Sequence, residues 1–381
     1  MRALVSMVVV GLAAPALAQD AFFQGEVVDA VAVPSLPKTT GDAAWAKATP
    51  RTFSLTAQRS VRLHDLKANA LVTQDPRIEV QVRSLSAPEG IAVLLDWPDA
   101  AREGVRLDEP DSFADSVALE VPQKYGAGLR LPAISMGDEG APVNVTLLRA
   151  AEKGTLESRF IAAGFGSLTR QIPASPSEAM TYDAAAKRWK AIFVLKGLEA
   201  KGLVPMAFAA WDGGRRERAG YKRISSWHFV RVPGQQVDVA WLAEMSFGYH
   251  PGDLGDPAKG KALAETICVA CHDLPGKALA PRGVAPSLEG VGAYATPGYL
   301  RDSIVTPSLV IVHEPNPNQH YTPSAPRDAN GAAPNADAFL WSSVGADGKR
   351  VSKMPVFSNF SKEQVADLVA FLKTIDGREA R

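Results

Sequence analysis

The chain holds only two cysteines, Cys268 and Cys271, and His272 follows the second directly. A pair this close is not a bridge that staples distant parts of a fold. Cys268-Val269-Ala270-Cys271-His272 instead has the C-x-x-C-H spacing of covalent haem c attachment. Thiols one helical turn apart can each form a thioether to one vinyl group of a single porphyrin. The next residue then lies under the ring with an imidazole nitrogen free for the iron. A thioredoxin-like redox pair would need a βαβ setting, and a zinc site would need two further ligands at suitable spacing. Neither is visible. Cys268 and Cys271 are therefore the expected attachment points and His272 an expected iron ligand.

The flanking sequence is helical in pattern. Asp256 can cap a helix with Pro257 at its first position, and Lys259 to Ile267 runs into the motif. Pro281 to Pro286 reads as the loop on the histidine side of the haem. Thr296-Pro297 opens a second helix through Ile304. A capping box, Ser361 to Gln364, begins a last helix with Val365, Leu368, Val369 and Leu372 on one stripe. Residues 249–381 thus resemble a class I cytochrome c, a small all-helical fold. That resemblance implies a sixth iron ligand from the loop before the last helix, where Met354 stands in Lys353-Met354-Pro355. A thioether opposite histidine favours Fe(II). His313 and His320 are the alternatives, inside a Pro/Asn/Ala-rich insertion over about residues 306–351.

Residues 1–18 have a different texture. Arg2, the apolar run Ala3 to Leu12, and Ala16-Leu17-Ala18 have the order of a cleaved export signal. The run is shorter than the roughly 20 residues needed to span a bilayer. Removing it takes away Arg2 alone among the charges, so 41 acidic residues face one base fewer than the 41 of the full chain. No basic excess points to nucleic acid or an anionic surface. The expectation is a periplasmic protein without a membrane span.

Residues 19–248 alternate with period two. Ile78, Val80 and Val82 are interleaved with Glu79, Gln81 and Arg83; Val143, Val145 and Leu147 with Asn144 and Thr146; Trp227 and Phe229 with Ser226 and His228. Ile91 to Leu95 is continuously apolar. This predicts a mostly antiparallel β-sandwich, hence a two-domain chain of β-sandwich followed by an all-α cytochrome c fold.

Several segments of the β-domain, in order, carry a closer likeness. They are Asp96-Trp97-Pro98-Asp99, Phe113-Ala114-Asp115, Ile134-Ser135-Met136-Gly137 with Pro142-Val143-Asn144-Val145, and Ala209-Ala210-Trp211-Asp212-Gly213 with Gly220-Tyr221-Lys222 and Trp227. Together they resemble the haem b-binding γ subunit of the ethylbenzene dehydrogenase and dimethyl sulfide dehydrogenase group, within the dimethyl sulfoxide reductase superfamily. The chain departs from that pattern at Leu147-Leu148-Arg149, where an aromatic residue is usual, and in its covalent-haem domain. The resemblance implies a non-covalent haem b held between Met136 and Lys222. Lysine can bind iron only as the neutral amine, so burial must pull its pKa down. The blander reading is a basic surface loop, since Arg215, Arg216, Arg218 and Arg223 crowd Lys222. Met206 and His228 are reserve ligands.

Two six-coordinate irons leave no open position for a substrate, which implies a relay rather than a catalyst. The expectation is a dihaem electron-transfer subunit, with no catalytic residues of its own. Its partners would be the iron–sulfur or molybdenum subunits of an oxidoreductase, and a soluble cytochrome c or terminal oxidase. The alternatives are a free-standing dihaem shuttle, a catalytic cytochrome acting on a small inorganic sulfur or nitrogen substrate, and a binding module.

Overall fold

The structure, a computed structural model, describes residues 27–58, 77–105, 112–134, 136–164, 167–197, 203–235, 255–276, 285–311 and 341–376. The expected export signal, His313, His320 and the 248/249 boundary lie outside the described residues.

Thirteen strands form one large sheet: β1 Val27–Ala32, β2 Arg51–Ala57, β3 Arg77–Ala87, β4 Gly90–Pro98, β5 Ser116–Pro122, β6 Val143–Ala150, β7 Thr155–Ala162, β8 Thr169–Ser177, β9 Met180–Asp183, β10 Arg188–Lys196, β11 Leu203–Trp211, β12 Arg223–Ile224 and β13 His228–Arg231. The order is β8-β7-β6-β5-β11-β12-β2-β3-β4-β10-β9, all antiparallel. Among the described strands, β1 alone joins in parallel, to β13 and β3. The sheet folds over itself. Phe53, Val82, Val93 and Phe193 of one arm meet Leu119, Leu148, Met206 and Val230 of the other in a single core. The sandwich expected from the alternation is present.

Burial on two faces explains the continuously apolar run in β4. Ile91, Val93 and Leu95 enter the core between the arms, whereas Ala92 and Leu94 pack under a second layer that carries Val33, Leu36 and Trp45. A strand covered on both sides reads as an unbroken apolar run. β13 has two covered faces as well. Trp227 and Phe229 pack with Leu131, Val143 and Leu203, while Val230 joins the opposite core. His228, a reserve ligand, is buried and stacks on Phe53 with ring centroids 3.6 Å apart.

The C-terminal unit contains α1 Pro257–Thr266, α2 Val291–Tyr294, α3 Pro297–Val305 and α4 Lys362–Thr374, with a hairpin of β14 Ser342–Val344 and β15 Arg350–Ser352. That hairpin falls at the end of the segment expected as a Pro/Asn/Ala-rich insertion. The caps read from the sequence are formed. Asp256 accepts from the Ala258 and Lys259 amides, Thr296 from Tyr299, and Ser361 and Gln364 close a reciprocal box. α1 and α4 cross at Gly260, where a Cβ would lie 1.9 Å from the Asp367 carbonyl oxygen. Only glycine permits that approach. Val365, Leu368, Val369 and Leu372 are buried, as their stripe predicts.

The two units share a core. Ile224 of the β-domain is buried among Leu300, Val365 and Leu368, with Ile134 and Ala209 packed beside it. Arg77 reaches across and donates to the Asp376 carbonyl at 2.8 Å.

Candidate functional site

The C-x-x-C-H segment leaves α1 through a 3-10 turn over Cys268–Ala270. The amides of Cys271 and His272 both donate to the Cys268 carbonyl, at 3.1 and 2.9 Å. Both cysteines are free thiols. Burial pushes the Cys268 thiol up to about 11, so it stays protonated. His272 is buried, and that burial pulls its pKa down and keeps the ring neutral. Its Nδ1 lies 2.7 Å from the Pro286 carbonyl oxygen, which can only accept, so Nδ1 carries the proton and Nε2 keeps its lone pair. Met354 is half-buried and packs, like Cys268 and Val269, against the core of this unit. Its loop is set by the hairpin, through Lys353 N to Trp341 O at 2.8 Å and Met354 N to Ser352 Oγ at 3.1 Å. Two thiols, a neutral imidazole and a thioether are a donor set that fits haem c.

A second site lies on the β-domain. Alternate residues of β5, β6 and β11 face opposite ways. Val117, Leu119, Leu148, Met206 and Ala210 enter the sandwich core. Ala118, Glu120, Val145, Leu147, Ala207, Ala209 and Trp211 point the other way and line a cavity of about 440 Å³. Met136 and Lys222 line the same cavity. The volume falls within the roughly 300–1,000 Å³ of cofactor pockets, and the wall is mostly apolar.

Lys222 is 8% exposed. Burial drives its pKa down, opposed by the carboxyl of Glu120, and its Nζ stands 5.3 Å from the centre of the Trp211 ring. The solvated basic-loop reading therefore fails for Lys222. It fails for Arg223 also, which is 1% exposed and paired with buried Glu217 at 2.7 Å. Met136 adopts a left-handed φ of 73°, followed by Gly137 with the same φ, where a Cβ would lie 2.9 Å from the Ala141 carbonyl. A non-glycine residue held there marks a backbone constrained by its surroundings. Met206, fully buried in the sandwich core, and His228, against Phe53, do not line the cavity.

Glu120 is a cavity residue outside the motifs. Glu120 carried a signal, as a lone carboxylate inside the apolar stretch Val117–Val121. Arg149 and Arg218 add positive charge to the lining. An apolar slot with a thioether, a buried lysine of depressed pKa and two cations suited to carboxylate groups fits a non-covalent haem.

Comparison with known proteins agrees with the C-terminal geometry. The Cytochrome c family model matches residues 257–376. A curated relative, the putative respiratory nitrate reductase heme subunit ORF7 of Haloferax mediterranei, is 34% identical over 115 residues, which is 28% of this chain and 40% of the relative. The chain thus spans well under half of that protein. Two solved structures of a family 9 carbohydrate-binding module from Caldicellulosiruptor kristjanssonii, with glucose and with cellotriose, align with TM-scores of 0.28 and 0.27 at 9% identity. They cover 56% of this chain and 99% and 97% of theirs. The C-terminal unit is a cytochrome c domain. That domain supports an electron-transfer haem protein, and no helix among the described residues is long and apolar enough to cross a membrane.

Proposed function

We propose that this chain is a periplasmic dihaem subunit, with haem c on Cys268, Cys271, His272 and Met354 and haem b between Met136 and Lys222. In this reading it relays electrons between a molybdenum/iron–sulfur oxidoreductase and a soluble cytochrome or terminal oxidase. The observation that carries it is the shared wall. Ile134, Ala209 and Ile224 line the β-domain cavity and also pack into the core against which Cys268 and Met354 lie. A cofactor in the cavity is then separated from the C-x-x-C-H segment by packed side chains rather than by water. Haem groups supply one-electron redox chemistry. The chain's own residues would hold them, exclude solvent and position the sulfur and nitrogen donors. The nitrate reductase heme subunit among the relatives supports placement in an oxidoreductase complex, as does the ordered likeness to γ subunits. Residues 1–18 support export.

The test is a pyridine haemochrome assay of the mature protein before and after acid–acetone extraction. One covalent and one extractable haem are expected, and Met136→Ala should perturb the extractable one alone. A single haem, or an extractable haem indifferent to Met136, sinks the dihaem assignment. Co-purification with an iron–sulfur or molybdenum chain tests the partner.

A further inference from the structure

Glu120 is 9% exposed and stands on β5, across from Ala207 of β11 and Val145 of β6, on the face that lines the cavity. The Met136 backbone N–H hydrogen-bonds its carboxyl. Its Oε1 is buried without a hydrogen-bond partner among the described residues. A buried carboxyl oxygen left in this way is a costly feature that calls for a donor. The charged group that acts on this carboxyl is Lys222, which lines the same cavity.

An amine that binds a metal through its lone pair still carries two N–H groups. In a dry cavity these need acceptors, or the amine turns away from the metal. The Trp211 ring face lies on one side of Nζ. Among the acceptors in this lining, Glu120 is the one whose charge acts on that amine. Resting on the haem b reading, we propose that Glu120 is a positioning residue for both side chains that would hold the iron, Met136 and Lys222. One carboxyl oxygen fixes the left-handed turn that presents Met136, and Oε1 accepts an N–H of the coordinated Lys222 amine. One carboxyl group thereby ties together two residues that come from different loops. Accepting that N–H also makes the amine a stronger donor and favours the ferric state, as a carboxylate behind a metal-bound histidine does.

The test uses the full mature chain with Glu120→Gln and Glu120→Leu. The covalent haem of each variant serves as the internal reference. Glu120→Leu should give the extractable haem a high-spin fraction at room temperature and a raised midpoint potential. Glu120→Gln keeps an acceptor oxygen, so it should stay low-spin with a smaller rise. If Glu120→Leu loses the extractable haem, the potential of Glu120→Gln decides: a rise supports the role and no change overturns it. Both variants with the wild-type spectrum and potential would overturn Glu120 while leaving the haem b reading intact. A wild-type protein with no extractable haem would bring down the reading itself.

Discussion

The Nδ1 atom of His272 donates to the carbonyl oxygen of Pro286 across 2.7 Å. That bond fixes the ring tautomer and its orientation from the protein side, before any thioether forms. Attachment and ligation are therefore separable. Cys268→Ala with Cys271→Ala should abolish covalent haem while leaving the extractable haem at its wild-type stoichiometry, read by haemochrome spectra of the pellet and supernatant after acid–acetone. Loss of both haems together would show that the β-domain cavity depends on a loaded C-terminal unit.

Gly260 tests the packing that supports this motif. A side chain there would meet the Asp367 carbonyl and the Phe371 Cβ, so α1 and α4 must separate. Gly260→Val should destabilise the C-terminal unit by about 1–3 kcal/mol, the usual cost of overpacking. Thermal melting followed at the haem c band should shift to lower temperature, and the extractable haem should be unaffected. An unchanged melt would mean that the helices slide apart freely.

Local chemistry made the C-terminal unit legible in advance. Caps at Asp256, Thr296 and Ser361, and the stripe from Val365 to Leu372, are determined within one or two turns of chain. The hairpin around Gly345 is not legible in the sequence because its strands are three residues each, too short for periodicity to register. In the β-domain the alternation gave strands and a sandwich. It did not show that Val145 and Leu147 face a cavity while Leu148 faces the core, because both environments are apolar. The depth of Lys222 was hidden by the arginines around it. Sequence neighbours say little about burial when Arg223 is neutralised by a glutamate six residues earlier.

Asp99, Glu103, Asp115 and Asp212 bring carboxylate oxygens within 4.8 Å of one another. Burial, then mutual repulsion, pushes Asp99 up to about 7 and Asp115 to about 8, from an ordinary 3.8. The folded chain therefore retains protons that the unfolded chain has already released. This contribution to stability is fully present below the ordinary carboxyl range and is lost as pH rises through 7 to 8. The melting temperature of the β-domain should fall between pH 5 and pH 8 (roughly the span of these shifts). Asp99→Asn should flatten that fall and melt higher than wild type at the alkaline end. A variant with the wild-type slope would show that these carboxyls do not govern it.

Glu217 and Arg223 hold the loop that delivers Lys222. Glu217 Oε2 accepts from the Asp212 amide at 3.0 Å and from Arg223 Nη1 at 2.9 Å, and both side chains are almost wholly buried. Burial raises the Glu217 carboxyl to about 7 even with Arg223 pulling it down, so desolvation takes back much of the attraction. Such a pair contributes little net stability while intact, yet removing one partner leaves a buried charge to be accommodated. Glu217→Leu should cost about 3–5 kcal/mol in chemical denaturation, whereas Glu217→Leu with Arg223→Met should recover most of that loss. Lys222 is adjacent to Arg223, and its carbonyl takes the Gln58 amide at 2.8 Å, so its backbone is pinned from both sides. The single variant should therefore also bind extractable haem less tightly, and the double variant should restore binding in parallel with stability. Recovery of stability without recovery of haem binding would mean that the ion pair sets the direction of Lys222 and not merely the fold around it.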